Sequence, residues 1–269
     1  VQAYDFESHS TYVPVRITTD NLPDARPQLV RNGDATYLFW LRNSEDIRYL
    51  NISDLIKNGV NADGTIKADY ELNAGAVSYV PADVNVKPAF GSYTAFVDKD
   101  SNLYVAWLQP VVAEDGSSSQ EIYASALIRN SGGATSWSEG VRLTESGAIH
   151  DEVALVTDSN GDLLTVSNQY TLDLADENYS VENIKLIATK YKVAGSLEVT
   201  DVTYSNDAPQ TGTTVDVRAT IKNTGLKTAA GYTLNVYEMK DGSMGKKVYS
   251  VTSDIPITPS SSYTEFFTW

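Results

Sequence analysis

Side chains able to do chemistry are few in this chain. Only His9 and His150 occur in 269 residues, and cysteine is absent, which removes disulfides, thiolate metal sites and cysteine nucleophiles. His150 runs directly into Asp151 and Glu152. That trio has the composition of a cation or acid–base site, because a neighbouring carboxylate favours the charged imidazole; a surface loop is the plainer reading. A serine triad needs a histidine beside its nucleophile, and no G-x-S-x-G sequence is present. Oxygen ligands alternate at Asp98, Asp100 and Asn102 and again at Asp158, Asn160 and Asp162, with a shorter version at Asn61 and Asp63. Calcium takes about six to eight oxygens, so these residues are the candidate metal ligands and calcium the one cofactor to expect. The same residue types also build ordinary hairpin turns, and none of the loops ends in the glutamate of an EF-hand. Arg16, Arg26, Arg31, Arg42 and Arg48 crowd the first part of the chain, but no arginine motif for a carboxylate substrate emerges from them. No catalytic residue is assigned.

Composition narrows the partners. A formal charge of −15 and a pI near 4.4 argue against nucleic acid, whose phosphates demand clustered Lys and Arg. Apolar runs fall short of the roughly 18 residues that a membrane span needs. A cysteine-free extracellular protein fits bacteria better than eukaryotes, so the expected location is secreted or on a bacterial cell surface.

The elements that must position these residues are short β runs between turns; helical periodicity is confined to residues 53–57. An apolar skeleton recurs three times. Ile17, Val84 and Leu143 are each followed 12 residues later by Leu29, Phe96 and Leu155. Trp40, Trp107 and Ser167 follow these, and Ile47, Ile122 and Ile184 open a further run. A repeat near 60 residues implies an array of sheet units. The strands expected are 28–31, 36–41, 47–52 and 76–84; then 93–97, 103–108, 121–128 and 137–143; then 152–156, 163–168 and 184–191. Each unit thus has the content of one propeller blade. The acidic turns at 98–102 and 158–162 join first strand to second at matching places, as Asn32-Gly33-Asp34 does in the first unit. Trp40 and Trp107 share one skeleton position, which favours core packing, and Tyr79, Tyr93, Tyr123 and Tyr170 read as cross-strand packing before a sugar platform. The third unit lacks a fourth strand. Residues 12–18 resemble one, since Val15-Arg16-Ile17-Thr18 mirrors Val141-Arg142-Leu143-Thr144; they close the third unit or complete an earlier blade. The pattern changes near residue 194, after which strands at 197–204, 213–223, 232–237, 248–254 and 262–268 suit a small sandwich.

Two resemblances follow. Asn130-Ser131-Gly132-Gly133-Ala134-Thr135-Ser136-Trp137 resembles a degenerate Asp box, the turn of sialidase-like propellers, with Gly132 where the aspartate belongs. The Asp box is a folding motif and implies no catalysis. Residues 211–217, then Ala219-Thr220-Ile221-Lys222-Asn223-Thr224-Gly225 and Gly231-Tyr232-Thr233-Leu234, resemble CARDB, the bacterial cell-adhesion-related domain, an immunoglobulin-like sandwich used as a spacer or adhesive module.

The expected fold is therefore all-β: antiparallel four-stranded propeller-type blades in an incomplete ring over 1–194, then an Ig-like β-sandwich over 195–269. The start at Val1 and the strand-like end at Trp269 suggest a piece of a larger protein. The expected function is non-enzymatic adhesion or scaffolding, with an extracellular glycan or protein ligand on the rim loops and association with another chain through exposed sheet edges. The alternative is an accessory part of a large secreted hydrolase whose catalytic residues lie outside this chain.

Overall fold

The computed structural model describes the chain apart from residues 1, 3, 6, 8, 12–13, 19–20, 64, 69–74, 78–90, 130–134, 174–179, 207–209, 211 and 241. Two compact units result, one formed by residues 1–127 and 142–191, the other by 128–141 and 192–269. Both are built of antiparallel β-structure.

In the first unit, β1 (Tyr4–Asp5) pairs with β2 (Ser10–Thr11). A four-stranded sheet follows in chain order: β3 (Asp24–Asn32), β4 (Ala35–Arg42), β5 (Asp46–Asn51) and β6 (Gly75–Ala76). Between β5 and β6 lie the short helix α1 (Ile52–Asp54) and a π-helical turn, Leu55–Gly59. The Asn51 side chain caps this segment, accepting from the Ser53 N–H at 3.2 Å. The next strands in chain order are β7 (Tyr93–Val97), β8 (Leu103–Val112), β9 (Ser118–Arg129), then β10 (Thr135–Trp137), which belongs to the second unit, β11 (Val141–Arg142) at the boundary, and β12 (Ile149–Thr157), β13 (Leu163–Asp173) and β14 (Ser180–Tyr191) of the first. β7-β8-β9 and β12-β13-β14 are antiparallel meanders, joined by one parallel bridge between Ile149 and Gln120. β10 and β11 both pair with β9. The expected single strand over 137–143 is thus two short pieces.

Burial separates the middle sheet from the last. Residues 103–109 of β8 are buried without a break, so both of its faces are covered. β12 instead alternates, with Val153 and Leu155 buried while Ala154 and Val156 are exposed. The third sheet is covered on one face only. The arrangement is propeller-like, in that successive meanders stack with their first strands together.

Two expectations shift. Ala95, not Phe96, is the counterpart of Leu155, because both sit two ladder steps inside their turn (Val97↔Leu103 and Thr157↔Leu163). Ala95 is buried and Phe96 half-buried, since a one-residue slip moves a side chain to the other face. Residues 14–18 form no strand; Val15 and Ile17 pack against Leu38, Trp40, Leu50, Ile52 and Leu55 of the first sheet region instead of closing the third unit. The Asp-box-like residues 130–134 and most of the expected 76–84 strand lie outside the described residues.

The second unit holds β15 (Leu197–Tyr204), β16 (Asp216–Asn223), β17 (Tyr232–Lys240), β18 (Ser243–Ser253) and β19 (Ser262–Thr268). They form a sheet in the order β15-β16-β19 and a β17-β18 hairpin. Both contribute to one core, with Ala219 and Ile221 from the first and Tyr232 and Leu234 from the second packed around Ile257. Buried Val217, Ala219 and Ile221 alternate with solvent-side residues, as the sequence pattern requires. Asn223 ends β16 fully buried: its amide donates to the Lys227 and Ile257 carbonyls, both at 2.8 Å, and its oxygen accepts from Ser196 and Gly225. Gly225 is required there, because a Cβ would stand 2.2 Å from the Ala194 carbonyl oxygen.

Candidate functional site

The first strands of the three meanders, β3, β7 and β12, converge at their N-terminal ends. The Gln28 amide bridges two of them, donating to the Ala95 carbonyl at 3.1 Å and accepting from the Ala95 N–H at 2.9 Å. Tyr93 donates its hydroxyl to the Arg26 carbonyl at 2.5 Å. Burial pushes that hydroxyl's pKa far above its ordinary value, so Tyr93 is a fixed donor. Beside it, the Arg26 guanidinium meets the Glu152 carboxylate at 3.2 Å, and Ser92 Oγ donates to Glu152 Oε2 at 3.2 Å. The Arg26 and Glu152 side chains remain 47% and 60% exposed, so the pair is open to solvent.

The backbone under both charged residues is unusual. Arg26 and Glu152 each have φ of +52°, the left-handed region that favours glycine. Both stand at bulges of a first strand, between Ala25 and Gln28 and between Asp151 and Val153, at matching repeat positions. Each left-handed residue costs about 1 kcal/mol or more, whereas an exposed ion pair contributes about 0–1 kcal/mol. The ion pair therefore does not hold this geometry; the surrounding sheets impose it. Imposed strain beneath exposed charged groups is a mark of preorganised sites.

Behind Glu152 lies a buried polar network. Glu121, fully buried on β9, accepts from Thr144 Oγ1 at 2.6 Å, from the Gly147 N–H at 2.9 Å and from the Ser146 N–H at 3.1 Å. Arg142 stands 3.4 Å away. Burial works to raise the Glu121 pKa, but these donors outweigh it and hold the carboxyl below the usual carboxylate range. His150, also fully buried, contacts Ser146 Oγ at 3.0 Å through Nε2 and Ser167 Oγ at 2.7 Å through Nδ1. Burial depresses its pKa, opposed by Glu121 at 3.9 Å. Ser146, His150 and Glu121 have the composition of a triad without its geometry. The acid shares Nε2 with the serine, while Nδ1, where an orienting acid belongs, meets a hydroxyl. The network instead fixes the 143–148 loop and the start of β12, which carries Glu152.

His150, Asp151 and Glu152 are therefore parted. His150 is sealed inside, Asp151 turns back to accept the Glu152 N–H at 3.0 Å, and Glu152 is exposed to solvent. In the first acidic turn, Asp98 Oδ1 accepts from the Asp100 and Asn102 N–H groups at 2.9 and 2.8 Å, and Oδ2 accepts from the Asn102 amide. In the second, Asp158 Oδ1 accepts from the Asn160 and Asp162 N–H groups, while Lys190 Nζ stands 2.6 Å from Asp158 and 3.1 Å from Asp162. Among the described residues no group of three or more His, Cys, Asp or Glu side chains is placed to hold a metal ion. Arg16 and Arg31 bond to nearby carbonyls and Arg48 to Asp46. Tyr93 and Tyr123 are buried, the latter stacked on Trp107 at 6.2 Å; Tyr79 lies outside the described residues.

The sequence reading missed Glu121 and the Arg26–Glu152 pair. A lone acidic residue at the head of the apolar run Glu121-Ile122-Tyr123-Ala124 was a usable signal for the first. For the pair, whose members stand 126 residues apart, the hint was their equal offset before Leu29 and Leu155.

No protein-family model matches this chain, and no curated protein matches it. Among solved structures it is similar to an endo-arabinase from Bacteroides thetaiotaomicron, at TM-score 0.38 and 13% identity over 66% of this chain and 59% of that one. The likeness thus spans under two thirds of that enzyme. A protein assigned as exo-beta-1,3-galactanase from Bifidobacterium bifidum gives 0.31 and 8%, over 90% of each chain. The periplasmic gluconolactonase of Pseudomonas aeruginosa gives 0.22 and 13%, over 98% of this chain and 78% of that one. All three are named as enzymes, which runs against the expected non-enzymatic adhesion or scaffold role, and that expectation is withdrawn. At these TM-scores the likenesses assign no reaction to this chain.

Proposed function

We propose that this chain is the glycan-holding part of a secreted bacterial hydrolase, with bond-breaking groups completed from outside it. The observation that carries the reading is the exposed Arg26–Glu152 pair with Ser92, held by strained backbone where three first strands meet. A guanidinium and a carboxylate fixed side by side offer donors and acceptors together, which suits the hydroxyls of a sugar. A net charge of −15 disfavours a polyanionic chain, so the ligand is a neutral polysaccharide. Glycoside hydrolysis uses two carboxyl groups about 5–10 Å apart. Glu152 supplies one at the exposed surface, while Asp151 is engaged with backbone and Glu121 is sealed. On this reading the blades belong to the sialidase-like class of propeller and the second unit is an immunoglobulin-like, CARDB-type spacer, supported by its alternating buried face on β16. Titration calorimetry with neutral oligosaccharides tests the binding. Saturable heat that disappears in Arg26→Ala supports it; no heat at millimolar ligand, or heat unchanged in that variant, rejects it.

A further inference from the structure

Exposed apolar side chains of the second unit gather at one place. Met239, Met244 and Trp269 are 69%, 70% and 58% exposed, and all three line one groove between the β15-β16-β19 sheet and the β17-β18 hairpin. Val217 and Phe267 line it from the sheet and Leu234 from the hairpin. Its volume is about 710 Å³, within the range of about 300–1,000 Å³ of small-molecule sites. Single exposed apolar residues need no explanation, but a contiguous set marks a surface that takes a ligand or partner. Trp269 is also held in place, since its N–H donates to the Val215 carbonyl at 2.8 Å and its carbonyl accepts from the Val215 N–H at 2.6 Å. Methionine, unbranched and polarisable, adapts to a flexible apolar occupant.

The polar groups decide what fits. Asn235 and Glu238 supply the amide and the carboxylate at the wall, and both are engaged. Asn235 Oδ1 accepts from Ser250 Oγ at 2.8 Å, and Glu238 Oε1 accepts from the Lys246 N–H at 3.2 Å. A peptide laid here would bury backbone groups against apolar walls, at a cost for each one left unpaired. An alkyl chain has no such groups. Charge then selects the head. Residues 238–248 hold Lys240, Lys246 and Lys247 against Glu238 and Asp241, a local positive excess on a chain of net charge −15. Lys246 and Lys247 are exposed and lie between Met244 and Val248, which both line the groove. An anionic head at the hairpin and an apolar tail in the groove satisfy both features.

We propose that this groove binds a free fatty acid, with its alkyl chain between sheet and hairpin and its carboxylate at Lys246 and Lys247. The inference does not rest on the glycan reading, whose residues belong to the first unit.

Displacement of N-phenyl-1-naphthylamine, an uncharged dye that brightens in apolar sites, tests this on the whole chain. Decanoate and 1-decanol carry the same alkyl chain and differ in the head. The expected result is saturable dye binding at neutral pH that both compounds reverse. Met244→Asp, at an exposed rim position, should weaken both by about tenfold or more, with the melting temperature kept. Lys246→Gln combined with Lys247→Gln should weaken decanoate by about threefold and leave 1-decanol unchanged. Absence of saturable dye binding, or affinities unchanged in Met244→Asp, overturns the proposal. So does an equal response of decanoate and 1-decanol to the lysine changes. Sedimentation of the chain with phosphatidylglycerol vesicles overturns it as well, by making the surface a membrane contact.

Discussion

Replacing Glu152 by glycine and by alanine isolates the strain beneath the candidate site. Both variants lose the same Arg26 ion pair and Ser92 hydrogen bond, so those terms cancel in the comparison. What remains is the left-handed backbone at φ +52°. Alanine pays the steric cost of that conformation, about 1–2 kcal/mol, and glycine does not. Glycine returns roughly 0.5–1 kcal/mol through the greater freedom of its unfolded chain. The net expectation is that Glu152→Gly is more stable than Glu152→Ala by about 0.5–1 kcal/mol, the reverse of the usual order inside a strand. Urea titration followed by tryptophan fluorescence reads this directly, because Trp40 and Trp107 are buried in this unit. Thermal melts should separate the variants by about 2–4 °C per kcal/mol for a unit of this size. Alanine equal to or better than glycine would refute the claim that the sheets hold Glu152 in a strained position.

Other outcomes follow from the buried groups. Glu121→Ala leaves the Ser146 and Gly147 N–H groups, Thr144 and Arg142 without their acceptor, and should cost about 3–5 kcal/mol by denaturant titration. Acid should weaken the first unit in two steps. The folded His150 pKa lies below its ordinary 6.5, so the unfolded chain binds the proton first and stability falls as pH drops through and below that value. The Glu121 pKa lies below its ordinary 4.5, so its contribution is whole above that pH and is lost on further acidification. Thermal melts from neutral to acid pH should show the first step flattened in His150→Asn. In the second unit, Asn223→Ala removes four buried hydrogen bonds and should cost about 2–4 kcal/mol, read as a lowered melting temperature.

Much of the fold is legible because local chemistry and burial agree. The acidic turns close their own hairpins through Asp98 and Asp158, and the alternation Val217, Ala219, Ile221 finds its buried face. The repeat of Val15–Thr18 in Val141–Thr144 likewise reappears as the same arginine-to-carbonyl bond at both places. Register was less legible: Ala95 and Phe96 are both apolar, so the sequence alone does not say which of the two faces the core, and it is Ala95. The site was least legible. Arg26 and Glu152 lie in polar stretches of different repeats, and only the convergence of first strands brings them together. Glu121 was hidden for another reason, since its acceptors' partners come from a loop 23–26 residues later with no motif of its own.

The central claim is that Arg26 and Glu152 form a binding site for neutral glycan. Its most direct measurement is calorimetric titration of neutral oligosaccharides into the natural chain and into Glu152→Gly, whose strand geometry glycine preserves. Saturable binding by the natural chain, weakened at least about tenfold in the variant (roughly 1.4 kcal/mol) with melting temperature maintained, is the predicted result. Equal binding by both proteins would contradict it.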